Sequence, residues 1–286
     1  MKLYAPAKIN WTLEVLGRRE DGYHEVRTLM QTVSLCDELE IESAEGLSLE
    51  SDGRHAAPVD DLVLKAARLL QWSGLGARLR LTKRIPDAAG LGGGSSDAAA
   101  TLRGLNQLWG LGLDAAALAE VAAQVGSDVA FFLQGGTALS EGRGERVTPL
   151  ADVQERWLVL LVPPIEVAGK TAAMYAALQP GDFSDGSRTA AALRRRQTGE
   201  GIAEEMLCNA FERAAYEILP QLPEYAACLS QAAGSPAHLA GSGPALFALA
   251  AGPAEAEAAC QRLASRDGAC FALRTLNRVE ALGHGE

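Results

Sequence analysis

Lysine is scarce in this chain: Lys2, Lys8, Lys65, Lys83 and Lys170 are all that occur among 286 residues. Acidic side chains outnumber basic ones, 36 to 26, for a formal net charge of −10. That balance leaves no clustered basic footprint, so a nucleic-acid partner is not expected. Cysteine is sparse and odd in number, at positions 36, 208, 228, 260 and 270, without C-x-x-C spacing. The four histidines are scattered as well, so neither a disulfide framework nor a zinc site is supported. Reduced thiols in a cytoplasmic protein are the expectation. Long apolar runs are missing too. The run Trp157 to Val162 stops at Pro163-Pro164, and the stretch around Leu246 to Ala251 is equally short. Spanning a bilayer takes about 18 to 20 residues, so no membrane partner is expected. Met1 to Asn10 lacks the apolar core of a secretory signal.

What is present suits a folded, two-domain chain. The apolar fraction is 48% and the charged fraction 22%, ordinary values for a length that supports about two cores. Ile9, Trp11, Leu13 and Val15 alternate with Lys8, Asn10, Thr12 and Glu14, the period of a half-buried strand. Gly17 to Gly22 reads as a polar turn. The spacing predicts a helix over Asp61 to Trp72 and a strand over Ala77 to Leu81 that Pro86 ends. Further helices are expected over Ser96 to Trp109 and, capped by Asp114 and stopped by Gly126, up to Gln124. The domain junction is placed near Pro149 to Arg156, giving units 1–152 and 153–286. Beyond the apolar strand Trp157 to Val162, Gln179 to Gly201 reads as a polar connection. Helices over 203–219 and 222–233 follow, then strand (245–250), helix (254–264) and strand (271–275). Strand and helix alternate in both halves, which favours an α/β or α+β architecture.

The most informative segment is Pro86-Asp87-Ala88-Ala89-Gly90-Leu91-Gly92-Gly93-Gly94-Ser95-Ser96, followed by Asp97 and an alanine run. Four glycines within five residues let backbone N–H groups approach a ligand closely. A loop that feeds a helix N-terminus presents free amides and the positive end of the dipole, which suits a phosphate. It is no Walker A, because no G-K-[ST] closes it. It also misses the dinucleotide fingerprint, since Ser95 stands where the third glycine belongs.

Gly90 to Ala99 resembles the phosphate loop of the GHMP kinase superfamily, in the long form seen in 4-diphosphocytidyl-2-C-methyl-D-erythritol kinases. Ala5-Pro6-Ala7-Lys8-Ile9-Asn10 is similar to that family's opening strand, and Asp21-Gly22-Tyr23-His24 to its D-G-Y-H element. Ala240-Gly241-Ser242-Gly243-Pro244 resembles the third glycine motif, with Ala240 and Pro244 departing from the common pattern. The resemblance spans residues 5 to about 250. It implies an α+β fold, with an N-terminal domain like the second domain of ribosomal protein S5, a ferredoxin-like C-terminal domain, and the active site between them. The implied activity is ATP-dependent phosphorylation of the 2-hydroxyl of a cytidine diphosphate-linked methylerythritol, a step of the non-mevalonate route to isoprenoids.

Strand alternation puts Lys8 and Asn10 on one face, where they can hold a hydroxyl and offset developing phosphoryl charge. The resemblance assigns Lys8 to catalysis and Asn10 to the substrate. It marks Asp128, in Gly126-Ser127-Asp128-Val129, as the catalytic aspartate, a position that also suits a helix N-cap. By the same resemblance Tyr23 stacks on cytosine, His24 reads its edge, Tyr175 covers it and Thr171 serves the diphosphate. ATP would lie on Pro86 to Ser96, with Mg²⁺ bridging its phosphates and Ser95 or Ser96 as ligand candidates. Arg194-Arg195-Arg196 reads as a solvated face or a mobile loop. The expected partners are small molecules, for a monomer or a homodimer. The rivals are a kinase of homoserine, mevalonate or a sugar, against which the Asp21 to His24 block argues, and a nucleotide-binding regulator that has lost catalysis.

Overall fold

The computed structural model describes residues 1–52, 61–71, 74–167, 169–198 and 201–283. Its longest elements are β1 (Lys2–Arg18) and β2 (His24–Ser43), antiparallel along their whole length. The turn between them is closed by the Arg19 N–H donating to the Tyr23 carbonyl at 2.8 Å. β1 is more than the half-buried strand its alternation predicts. Every residue from Ala5 to Val15 is buried, because a second layer covers the polar face as well.

β3 (Leu47–Ser51) and β4 (Ala77–Thr82) extend the sheet beside the far end of β2, while β5 (Thr137–Gly142) and β6 (Arg146–Pro149) pair beside its near end. Four helices pack their apolar stripes on one face: α1 (Leu62–Leu70), α2 (Gly93–Leu108), α3 (Ala115–Val125) and α4 (Val129–Gln134). α1 starts where Asp61 accepts hydrogen bonds from the Val63 and Leu64 N–H groups, and Gln71 caps its end; Trp72 lies outside the described residues. α3 begins as its sequence predicts, with the Asp114 carboxylate accepting from the Ala117 N–H and Gly126 at the end.

In the second half, β7 (Trp157–Val162) is followed by α5 (Lys170–Ala176), α6 (Ser187–Gln197), β8 (Cys208–Asn209), α7 (Glu212–Ile218), α8 (Leu222–Ala233), β9 (Ala237–Leu239), β10 (Leu246–Ala250), α9 (Pro253–Leu263) and β11 (Ala269–Arg274). α10 (Arg278–Leu282) closes the described chain. The strands β11, β7, β10 and β9 stand in that order in one antiparallel sheet. With α8 and α9 as crossovers this is a βαββαβ unit with strand order 4-1-3-2, the ferredoxin-like arrangement.

Two expectations are corrected here. The stretch read as a polar connection over 179–201 contains α6; positions 199 and 200 lie outside the described residues. This helix is polar almost throughout because it buries only Thr189 and Ala192. It lies over the polar face of β1, with Thr189 Oγ1 at 2.7 Å from Thr12 Oγ1 and the Thr189 N–H donating to Glu14 Oε2 at 2.7 Å. The arginine run forms its last turn. The single helix expected over 203–219 is interrupted by β8, which joins the first sheet parallel to β1 at Thr12 and Leu13.

The two sheets share a core. Ile9 and Trp11 of β1 pack with Leu158, Leu160 and Phe247, and Trp11 meets the Phe247 ring edge-on at 6.2 Å. Among the described residues no helix is long and apolar enough to cross a membrane.

An ionic knot fastens α2 to the sheet. Lys83 Nζ donates to Asp37 Oδ2 at 2.5 Å and to Asp97 Oδ2 at 2.8 Å. The other Asp37 oxygen accepts from the Arg84 and Ile85 N–H groups. Burial pushes the Asp97 carboxyl up to about 8, with Lys83 opposing and Asp37 adding to the shift. Replacing Lys83 by Met strands two buried carboxyls, which should cost about 3–5 kcal/mol in urea unfolding near neutral pH. An acid held above its usual value binds its proton more tightly in the fold, so this group's contribution falls as pH rises towards about 8. Without Lys83 the Asp97 carboxyl holds its proton to still higher pH, so the deficit of Lys83→Met should deepen as pH rises past about 8, and a pH-independent deficit would count against the shifted Asp97.

Candidate active site

A cleft of about 600 Å³ opens where the two sheets meet. One wall is the glycine-rich loop, which runs between β1 and the turn before β10. The Lys8 N–H donates to the Leu91 carbonyl at 3.0 Å, and the Ala245 N–H donates to the Ala89 carbonyl at 3.2 Å. The loop is thus pinned from both halves of the chain. α2 begins at Gly93, three residues before the expected start, with Gly92 as N-cap at φ 73° and no side-chain cap. The serines do not cap it, so the N–H groups of the first turn are left for a ligand.

The third glycine motif docks directly on this loop. A Cβ on Gly90 would collide with the Ala240 carbonyl and lie 2.9 Å from Gly243 N. On Gly241 (φ +54°) a Cβ would stand 2.6 Å from the Gly90 carbonyl oxygen and 2.9 Å from Lys8 Nζ. Asn209 holds the turn in place: its Nδ2 donates to the Leu239 and Gly241 carbonyls at 2.9 and 2.8 Å, while its Oδ1 accepts from the Phe211 N–H. The break in the expected 203–219 helix is what puts Asn209 there.

Lys8 is 4% exposed. Its Nζ donates to Asn10 Oδ1 at 2.9 Å, Asn10 Nδ2 donates to Thr28 Oγ1 at 2.7 Å, and Thr28 in turn donates to the Thr12 carbonyl. This chain of bonds fixes the amide orientation. Burial pulls the Lys8 ammonium below its ordinary value, and the Asp128 charge pushes back. Asp128 occupies the N-cap position of α4 but makes no side-chain cap bond there, so its carboxylate is not spent on the helix.

The cleft gathers most of the residues expected from sequence. Lys8, Asn10, Pro86 to Ser95, Asp128, Thr171 and Tyr175 all line it. Ser96 does not; it is buried and its Oγ has no partner among the described residues. Tyr23 and His24 stand outside the lining. Tyr23 is 54% exposed, with the Arg143 guanidinium 4.7 Å above its ring. His24 stacks on Tyr175 at 4.9 Å, and burial together with Arg18 lowers its pKa. Burial and the Asp128 charge push the Tyr175 hydroxyl up to about 12. Thr171 Oγ1 is 3.1 Å from Ser242 Oγ.

Sequence reading missed Arg143, Lys170 and Asn209, and named Ser242 only as part of the third glycine motif. The lysine carried a signal, being one of five, but no strand period or motif pointed to it. Among the described residues no group of three or more His, Cys, Asp or Glu side chains is set to hold a metal.

Fold and cleft together define a small-molecule kinase. The family signature of the GHMP kinases N terminal domain matches residues 61–136, and that of the GHMP kinases C terminal matches 189–269. The chain belongs to the GHMP kinases. The 4-diphosphocytidyl-2-C-methyl-D-erythritol kinase of Dehalococcoides mccartyi is 41% identical over 284 residues, 98% of this chain and all of that one. That of Pelotomaculum thermopropionicum is 43% identical over 281 residues, 96% of this chain and 97% of that one. A crystal structure of 4-(cytidine 5'-diphospho)-2C-methyl-D-erythritol kinase superposes with a TM-score of 0.82 at 38% identity, covering 96% of this chain and 99% of that one. Homoserine kinase from Cytophaga hutchinsonii shares the fold, with a TM-score of 0.71 at 20% identity, covering 98% and 96%. Within the GHMP kinases the chain belongs to the 4-diphosphocytidyl-2-C-methyl-D-erythritol kinase family.

A methyl group on Gly241 has nowhere to go except against the loop and Lys8. Gly241→Ala should lower kcat by about 100-fold, the usual cost of displacing a reacting group by an ångström. The close approach and the positive φ should also lower the midpoint of thermal unfolding, so kcat is read well below it; a normal kcat would show that the two glycine turns are free to part.

Proposed function

We propose that the chain transfers the γ-phosphoryl group of ATP to the 2-hydroxyl of 4-diphosphocytidyl-2-C-methyl-D-erythritol. The carrying observation is that Lys8, Asp128 and the glycine loop line one cleft, in a chain of that kinase family. The acceptor oxygen forms a bond to the γ-phosphorus, the bond from that phosphorus to the β–γ bridging oxygen breaks, and ADP leaves with the electron pair. The hydroxyl proton passes to Asp128, whose carboxylate is free of the helix it precedes. Lys8, held by Asn10, offsets the charge on the transferring group.

The loop Pro86 to Ser95 cradles the ATP phosphates through backbone N–H groups. The hydroxyl of Ser95 and the carboxylate of Asp87, hard oxygen donors in this lining, would hold Mg²⁺ there. The ion supplies charge neutralisation on the phosphate oxygens. Of the two serines, Ser95 is the ligand candidate in the lining.

Tyr175 and the His24 stacked on it form an aromatic shelf for the cytosine, and Arg143 brings Tyr23 to the rim. Units 1–152 and 153–286 each supply one side of the cleft in this reading. One chain completes a site, in keeping with either a monomer or a homodimer. The sparse, unpatterned cysteines support a reducing, cytoplasmic setting.

The test is to supply the purified protein with ATP and Mg²⁺ plus the cytidine-linked alcohol, mevalonate, homoserine or galactose, and to follow ADP. Turnover with the cytidine-linked alcohol is expected; turnover only with another acceptor would overturn the substrate assignment. Asp128→Asn should lower kcat by ~10²–10⁴-fold with ATP affinity little changed. Tyr23→Ala should raise the acceptor KM more than it lowers kcat, and an unchanged KM would remove Tyr23 from cytosine recognition.

A further inference from the structure

We propose that Lys170 is a second cation of the transfer site, lining the same cleft as Lys8 and holding the phosphoryl group as it passes from ATP to the acceptor. The proposal rests on the kinase reading above and assigns a role to a residue that reading leaves idle.

Lys170 is the first residue of α5, 6% exposed, and lines the same cleft as Lys8, Asp128 and the glycine loop. Its Nζ donates to the Ala88 carbonyl in that loop. An ammonium has three donors and here one neutral acceptor, which leaves two N–H groups for a ligand. Among the described residues no carboxylate pairs with it. A buried charge without a counter-ion is unfavourable unless an anion arrives.

The surroundings indicate which anion. The charged groups of the cleft are Lys8 on β1, Asp128 at the head of α4, Asp87 in the loop and Arg143 in the turn between β5 and β6. Burial lowers the Lys170 ammonium to about 8, and the Lys8 charge adds to the shift. Two partly desolvated cations within reach of each other, from opposite halves of the fold, repel until negative charge lies between them. The group in flight spreads its charge over three equatorial oxygens, so it can accept from both lysines at once. As its bond to the β–γ bridging oxygen breaks and its bond to the acceptor oxygen forms, Lys170 keeps one N–H on the Ala88 carbonyl and donates another to one of those oxygens.

The test compares Lys170→Met and Lys170→Arg with the parent in steady-state kinetics, varying ATP and the cytidine-linked alcohol separately. Lys170→Met should lower kcat by about 10- to 100-fold, with both KM values changed less than about threefold. In the parent, kcat/KM should fall as pH rises above about 8, where the free-enzyme ammonium loses its proton. In Lys170→Arg that limb should move to higher pH. A loss confined to the ATP KM would make Lys170 a mere tie to the loop, and a loss confined to the acceptor KM would make it a contact for the acceptor's own diphosphate. Either result overturns the proposal, as does an unchanged kcat. If Lys170→Met fails to fold by thermal unfolding, Lys170→Gln is read in its place. Should the parent not phosphorylate the alcohol, the substrate assignment fails separately. The same ratio of rates is then read on acceptor-free ATP hydrolysis, where an unchanged rate overturns the role of Lys170.

Discussion

Everything in the cleft depends on two backbones meeting without side chains between them. Gly90 and Gly241 touch across the two halves of the chain, at a separation no Cβ would tolerate. That contact fixes the loop against the turn before β10. The Lys8 N–H to Leu91 bond fixes the same loop against β1. With both in place, the first turn of α2, the Lys8 ammonium and the Asp128 carboxylate are set around one volume. Asn209 and the Lys83 knot hold the two flanks from behind.

The electrostatics run against the composition. The chain as a whole is acidic, with a formal charge of −10, yet three of its five lysines are enclosed by the fold. Lys8 and Lys170 are nearly sealed in the cleft, and Lys83 is committed to the carboxyl groups of Asp37 and Asp97 beneath α2. Desolvation destabilises such cations in the empty fold and makes them strong ligands for phosphate. A total charge averages over the surface, whereas a bound nucleotide responds to the few groups that share its low-dielectric surroundings.

Parts of this arrangement were legible in advance because their determinants are local. The glycine loop, the alternation along β1, the Asp114 cap of α3 and the apolar strand β7 each follow from a handful of neighbouring residues. Other parts were misread for a common reason. α6 has almost no apolar stripe, since it covers the polar face of a buried strand. β8 is two residues of pairing to a strand nearly two hundred positions away, set in helix-forming surroundings. α2 begins on glycines, where no propensity predicts a helix, because the loop geometry dictates its first turn. In each case a distant partner overrides the local signal.

The sequence by itself determined the chemistry available to this protein. It shows a loop shaped for phosphate, a lysine and an amide on one strand face, an aspartate at a helix start, and the motifs that mark a GHMP kinase. The tertiary structure decided which of these lie together. It placed Tyr23 and Ser96 outside the lining and set His24 against Tyr175. It turned Lys170 inward onto the loop and recruited Asn209 and Gly241 as its supports. The reason is that residue type and spacing encode what a side chain can do within a few neighbours. Burial, close approach and charge coupling are properties of pairs that only the folded chain brings together.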